Sequence, residues 1–226
     1  MANYIYITLD TTAPSNPTVI IDGGAIYSTD FLVDLTISVG DVNTIGYQMK
    51  IWGDVDEEYN PNIRANEQDS AWITFSTNPQ IKLSANDGKK TINVRVRDDV
   101  HNASSVAIDD ITLDTSIPTV TVTQPDVSKI SKQEGKDTAS FTFQSNEDFV
   151  EYKVKLVGNT GATHDTGTNI PTTNGSINTS GTGVFTASTV TTVTIKGRDL
   201  ELAGATTDGQ KTIKVFVKDS SGQWSA

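Results

Sequence analysis

Along most of this chain apolar and polar residues alternate one by one. Val33, Leu35, Ile37 and Val39 are separated by Asp34, Thr36 and Ser38. Tyr47, Met49 and Ile51 flank Gln48 and Lys50, and Ile92, Val94 and Val96 interleave with Asn93, Arg95 and Arg97. Further on, Phe141 with Phe143, Tyr152 with Val154 and Leu156, Val193 with Ile195, and Ile213 with Val215 and Val217 repeat the pattern. At the start, Tyr4, Tyr6 and Thr8 alternate with Ile5, Ile7 and Leu9. A period of two sends one set of side chains into a core and the other into water, so each run predicts a half-buried β-strand. Between the runs lie Asp22-Gly23-Gly24, Asp87-Gly88, Asn174-Gly175 and Asp208-Gly209, residue types that accept the positive φ of tight turns. No long stretch carries the i, i+3, i+4 apolar spacing of a helix.

The strands belong to a repeat. Ile7-Thr8-Leu9-Asp10-Thr11-Thr12-Ala13-Pro14 recurs as Ile111-Thr112-Leu113-Asp114-Thr115-Ser116-Ile117-Pro118, an offset of 104 residues. Asp87-Gly88-Lys89-Lys90-Thr91-Ile92-Asn93-Val94-Arg95-Val96-Arg97-Asp98 recurs as Asp208-Gly209-Gln210-Lys211-Thr212-Ile213-Lys214-Val215-Phe216-Val217-Lys218-Asp219, an offset of 121. The larger offset places an insertion in the second unit. Residues 158–183, rich in Gly, Thr, Asn and Ser, are its expected site and predict an exposed, mobile loop. So many short strands in about 100 residues predict an all-β fold of two tandem immunoglobulin-like β-sandwich domains. The expected boundaries are an N-terminal strand at 1–10, a first domain at 11–116 and a second at 117–226.

The junction motif at 7–14 and 111–118, the Asp-Gly-x-Lys block at 87–98 and 208–219, and the ending Ser221-Gly222-Gln223-Trp224-Ser225 resemble those of bacterial and phage immunoglobulin-like repeats. The resemblance covers nearly the whole chain outside 158–183. It implies modules that decorate phage capsids, necks and tails, or that form arrays on bacterial surfaces. The N-terminus has no basic segment followed by an apolar run of secretory type. The expectation is therefore a chain made in the host cytoplasm and placed on a virion surface, with other virion structural proteins as partners. A bacterial surface array, or a carbohydrate-binding adhesin, is the alternative.

The two ends are out of step with the modules. In the first unit the segment after Asp98 continues to an apolar stretch at 106–113, the expected closing strand. After Asp219 the second unit has no counterpart, whereas residues 2–9 look like a closing strand with no unit before it. A sandwich without its last strand exposes an unpaired edge. Strand addition from a neighbouring chain is one expected remedy, with Tyr4, Ile5, Tyr6, Ile7 and Leu9 as contact residues; cover by another virion protein, or closure by a different strand, is the alternative. Such head-to-tail self-association closes into a ring or runs on as a filament.

Composition narrows the chemistry. The chain has 226 residues and no Cys, which excludes disulfides, thiol nucleophiles and Cys-ligated metals. Seventeen Lys and Arg against 28 Asp and Glu give a formal charge of −11, the wrong sign for nucleic acid or an anionic membrane. The two His residues, His101 and His164, have no Ser or carboxylate at a catalytic spacing. Glu147 and Asp148 are adjacent, which in a strand points them to opposite faces. A non-enzymatic protein without cofactors is expected. Calcium is a secondary candidate, at Asp54, Asp56, Glu57 and Glu58, or at Asp98, Asp99, Asp109 and Asp110 with Asp10 and Asp114. Trp52, on the polar side of its strand, and Tyr59 are candidate glycan contacts. Trp72 and Phe75 read as core, and Trp224 as a ring packed across the incomplete edge.

Overall fold

The alternating runs become strands because each buries one row of side chains between two sheets. The computed structural model describes residues 4–226, which divide into two compact units, one ending at Ser116 and the other beginning at Ile117. The first contains β1 (Thr18–Ile21), β2 (Tyr27–Ser28), β3 (Leu32–Ser38), β4 (Gln48–Gly53), β5 (Ile73–Thr74), β6 (Gln80–Lys82), β7 (Gly88–Arg97) and β8 (Ala107–Leu113). One sheet runs β1-β3-β6 and the other β2-β8-β7-β4-β5. All pairs are antiparallel except β2 with β8. Val33, Leu35, Ile37 and Ile81 from the first sheet meet Met49, Ile51, Ile92, Val94 and Val96 from the second in one aliphatic core. The unit is an immunoglobulin-like sandwich. Gly53 closes β4 with φ of 137°, and a Cβ there would collide with Thr91 O, so no larger residue fits that exit.

The second unit contains β9 (Val120–Val122), β10 (Thr138–Ser145), β11 (Phe149–Val157), β12 (Thr168–Asn169), β13 (Ser180–Phe185), β14 (Thr191–Lys196), α1 (Gly197–Leu202) and β15 (Thr212–Lys218). One sheet runs β14-β10-β9. In the other, Tyr152 of β11 lies between Val217 of β15 and Gly181 of β13, so β15 takes one side of β11. The other side is shared by β13 and β12. This core is aromatic: Phe149 stacks on Phe185 at 4.7 Å, and Tyr152 and Phe143 pack at 5.1 Å. Helix α1 has only six residues, too short for periodicity to predict. Its Asp199 is 0% exposed and accepts hydrogen bonds from Asn174 N (2.8 Å), Asn174 Nδ2 (2.9 Å) and Ser176 N (2.9 Å).

Three expectations are corrected. Residues 158–183 are not a free loop: Ile170 is 2% exposed and belongs to the core, and Ser180 already begins β13. The reason lies on the outer face of the β11–β15 pair, where Val157 and Phe216 are buried. The insertion lies over this face. A Cβ on Gly167 would come within 2.8 Å of Val157 Cγ1, Lys155 Nζ donates to His164 O (2.7 Å), and Lys214 Nζ donates to Ala162 O (2.8 Å). Glu147 and Asp148 sit in the turn between β10 and β11, not on a strand, and Asp148 accepts from Ala187 N. Residues 4–9 form no strand within one chain, and Tyr4, Ile5, Tyr6, Ile7 and Leu9 are 68–89% exposed. A strand needs a hydrogen-bonding neighbour, and their own unit offers them none. Of the expected contact strand, residues 2 and 3 lie outside the described residues.

Candidate functional site

The homologous strands β7 and β15 differ in what lies beside them. β7 is paired on one side with β4 and on the other with β8. Among the described residues β15 is paired in a ladder only with β11. Both strands begin the next step identically. Ser104 N donates to Val96 O (2.8 Å) and Val96 N to Ser104 Oγ (3.1 Å), while Ser225 N donates to Val217 O (2.9 Å) and Val217 N to Ser225 Oγ (3.1 Å). Main-chain groups alternate between the two edges of a strand. Those of Val215 and Ile213 therefore point the same way as those of Val217, along the open edge.

The first unit shows what that edge is shaped to hold. Ala107, Ile111 and Leu113 of β8 are 7%, 2% and 0% exposed. Asp109 Oδ2 accepts from Ile21 N (2.8 Å), which ties β8 to β1 across the sandwich. Asp110 bonds Lys89 (2.9 Å) and the Thr91 hydroxyl (2.6 Å) on β7. Just beyond β8, Asp87 clamps the chain: its Oδ1 accepts from Thr115 N (2.9 Å) and Thr115 Oγ1 (2.8 Å), and its Oδ2 from Ser116 Oγ (2.8 Å). The Thr115 amide, then the Ser116 and Thr115 hydroxyls, hold the Asp87 carboxyl below the usual carboxylate range. Asp208 is the residue matching Asp87 in the second unit.

Without such a strand, the second unit leaves core-facing residues uncovered. Val122 pairs across β9–β10 with buried Phe143, and directly opposite residues share a face. Yet Val122 is 45% exposed, whereas Val19 and Ile21 of β1 are 6% and 0% exposed. Ile213 is half-buried where its counterpart Ile92 is 0% exposed. The segment that matches β8 in sequence, residues 4–9, is itself unpaired. Asn102 Nδ2 donates to Asp10 O (3.3 Å), which ties the root of that segment to the first unit.

Of the aromatic candidates, Trp52 falls on the outer face of β4 and Tyr59 in a turn beyond it. Trp52 is half-buried opposite Asn93, whose Nδ2 reaches Trp52 O at 3.4 Å. Tyr59 is 50% exposed, with Lys82 Nζ 5.7 Å from its ring centre, and no ring contact joins it to Trp52 among the described residues. Trp72 is not core. It lies on the outer face between Lys50 Nζ (5.2 Å) and Arg97 (4.3 Å). Phe75 does pack against the core. Trp224 stacks on His164 at 4.7 Å, with Lys153 Nζ 4.3 Å and Lys218 Nζ 5.8 Å from its ring, rather than across the open edge. By the strand registers Lys50 matches Lys153 and Arg97 matches Lys218. Two tryptophans from unrelated segments thus occupy one structural position, held by cations on the ring faces.

Most carboxylates of the acidic clusters accept from protein donors. Asp56 pairs with Lys82 (2.7 Å), Asp54 Oδ2 accepts from Thr91 N, and Glu57 Oε1 accepts from Ala65 N. Asp98, 2% exposed, accepts from Val100 N, Asn102 N and Asn102 Nδ2. Burial alone would raise its pKa, but these bonds outweigh burial and hold it low. Asp10 and Asp114 accept from Thr12 N and Ser116 N. Among the described residues no three acidic or His side chains gather as a metal-binding group. His101 sits in the turn after Asp98 at φ of 72°. Sequence reasoning missed the Asp87 clamp, although the aspartate at 87 and 208 recurs and was a usable signal.

No protein-family model and no curated protein sequence matches this chain. Among solved structures, the fibronectin(III)-like modules of Clostridium thermocellum CbhA are similar at 11% identity and a TM-score of 0.42, covering 92% of this chain and 90% of theirs. A chitinase from Bacillus thuringiensis is similar at 13% identity and a TM-score of 0.31, where 92% of this chain spans 30% of the enzyme.

Proposed function

We propose that this chain is a non-enzymatic structural protein of a phage particle surface, a pair of immunoglobulin-like modules decorating capsid, neck or tail. What supports this reading is that, among the described residues, β15 has a ladder partner on one side only and Val122 is 45% exposed, and a half-paired edge over apolar surface accepts a further strand, from the same chain or from a partner. The charge of −11 keeps copies soluble and mutually repelled until specific contacts form. The motif resemblance supplies the virion setting, reached from the host cytoplasm.

A peptide with the sequence of residues 105–116 tests the docking edge. Added to a variant lacking residues 1–9, it is expected to bind saturably by fluorescence anisotropy; no binding overturns the docking reading. Mass spectrometry of purified particles tests the setting. Peptides of this chain in the cell-envelope fraction alone favour the second reading, a glycan-binding adhesin. That reading rests on Trp52, half-exposed beside Asn93 on the outer face, where a flat ring offers a stacking surface for a sugar. Glycan-array binding lost in Trp52→Ala supports it.

A further inference from the structure

We propose that the outer face of β11 and β13 in the second unit binds a neutral sugar of a glycan, seated over Glu151 and Lys153. The inference rests on the glycan-binding reading above for its ligand class and adds a site separate from Trp52. The β11–β13 register sets Glu151 opposite Thr182 and Lys153 opposite Ser180, and the β11–β12 register sets Lys155 opposite Asn169. Tyr152 and Val154, between them on β11, belong to the core, so the alternate residues share the solvent face. With Gly181 and Tyr152, the side chains of Glu151, Lys153, Asn169, Ser180 and Thr182 line a groove of about 280 Å³. That is room for a sugar and at the lower end of small-molecule sites, which run to about 1,000 Å³.

The floor of the groove sets a donor beside an acceptor. Lys153 Nζ lies 3.1 Å from Glu151 Oε1 and 4.3 Å from the centre of the Trp224 ring, and Lys218 Nζ lies 3.9 Å from Glu151 Oε2. The Lys153 and Glu151 side chains are 30% and 27% exposed, held in place yet reachable from solvent. An anion entering the groove meets the Glu151 carboxylate, and a cation meets the Lys153 ammonium. A hydroxyl answers both, because it accepts from the ammonium and donates to the carboxylate. Neighbouring hydroxyls of one sugar ring engage the two together, through bonds to charged groups that are stronger than neutral ones. The rim is unspent: among the described residues the side chains of Asn169, Ser180 and Thr182, all exposed, make no hydrogen bond to the protein. They add an amide and two hydroxyls, each able to donate and accept. The first unit differs at this point, since Lys50, which matches Lys153, already donates to Glu67 O (3.1 Å). The insertion thereby gains a role, because β12 carries Asn169 and β13 begins at Ser180.

The test is an array of neutral oligosaccharides of glucose, galactose, mannose and N-acetylhexosamines, set beside uronate- and sialic-acid-bearing ones and probed with the whole chain. Binding to neutral members is expected, and calorimetric titration with the bound oligosaccharide then measures its strength. Glu151→Gln is expected to weaken that binding about tenfold or more by removing the charged acceptor. Ser180→Tyr, which fills the groove and keeps a good strand former in β13, abolishes it. Asn169→Ala with Thr182→Ala weakens it less, with circular dichroism and melting temperature unchanged, since both side chains are exposed and bond nothing in the protein. Trp52→Ala leaves it unaltered. Binding confined to acidic glycans overturns the proposal. If binding is lost in Trp52→Ala and untouched by Glu151→Gln and Ser180→Tyr, the groove falls and the glycan-binding reading at Trp52 stands. If no glycan binds, both fall.

Discussion

Leu113 and Leu9 stand at the centre of the same five-residue sequence, Ile-Thr-Leu-Asp-Thr, yet one is 0% and the other 85% exposed. The difference is the neighbour: Leu113 lies on a strand with β7 beside it, and Leu9 has no strand beside it. The two units repeat that lesson at larger scale. The first closes its aliphatic core with β8. The second has an aromatic core, an insertion laid over the outward-facing Phe216 and Val157, and an uncovered edge at β15. An apolar pattern thus specifies a strand, while burial depends on the partner that arrives beside it.

The comparison breaks most sharply in the cores. Phe149→Ala is expected to cost about 3–5 kcal/mol because it empties the ring cluster with Phe143, Tyr152 and Phe185. Hydrogen-exchange mass spectrometry should then show lost protection in residues 117–226 and none in 18–113. Leu113→Ala is expected to cost about 2–5 kcal/mol by urea unfolding, and Leu9→Ala less than about 0.5 kcal/mol in the single chain. Equal losses at the two leucines would mean that residues 4–9 are buried within their own chain.

Asp199→Ala ranks next, at about 1–3 kcal/mol, because it leaves the Asn174 and Ser176 amides without their buried acceptor. Burial alone would raise the Asp199 pKa, but the hydrogen bonds from Ser176 and Asn174 outweigh it, and Asp87 and Asp98 are likewise depressed. A depressed native pKa means that the unfolded chain binds the proton more readily. The stabilisation is therefore complete above about pH 4 and lost as pH falls through the lower native values. Melting temperature measured from pH 6 down to 2 should fall steeply at the acid end, and less steeply in Asp199→Ala. Apart from Leu9→Ala, the smallest effects belong to Trp72→Ala and Trp224→Ala, about 0.5–1 kcal/mol each from the cation contacts. Trp224 should lose the more, because it also stacks on His164.

Much of the fold was legible. Val33, Leu35 and Ile37 alternate with polar residues and are 1%, 0% and 1% exposed. Gly88, Gly175 and Gly209 take the positive φ that their Asp-Gly and Asn-Gly turns require. What misled was composition without context. The Gly- and Thr-rich stretch at 158–183 reads as loop, and nothing local reveals that Phe216, flanked by Val215 and Val217, needs cover on the opposite face. Trp72 reads as core because a large ring usually is, but Lys50 and Arg97 hold it on the outer face. At the candidate site, the repeated motif showed that β15 is the counterpart of β7. The recurrence of aspartate at 87 and 208 marked the position, but not its partner, because the clamp joins residues 28 positions apart.

Local order in the sequence determined the strands, the turns, the two-unit repeat and the mismatch at its ends, since side-chain alternation and turn chemistry act over neighbouring residues. Only the tertiary structure decided which apolar residues are covered, which aspartates cap turns or clamp a strand, and that the edge of β15 lies open beside Val122. Those outcomes depend on which segment of chain comes to lie against which, and hydrogen bonds across tens of residues fix that choice.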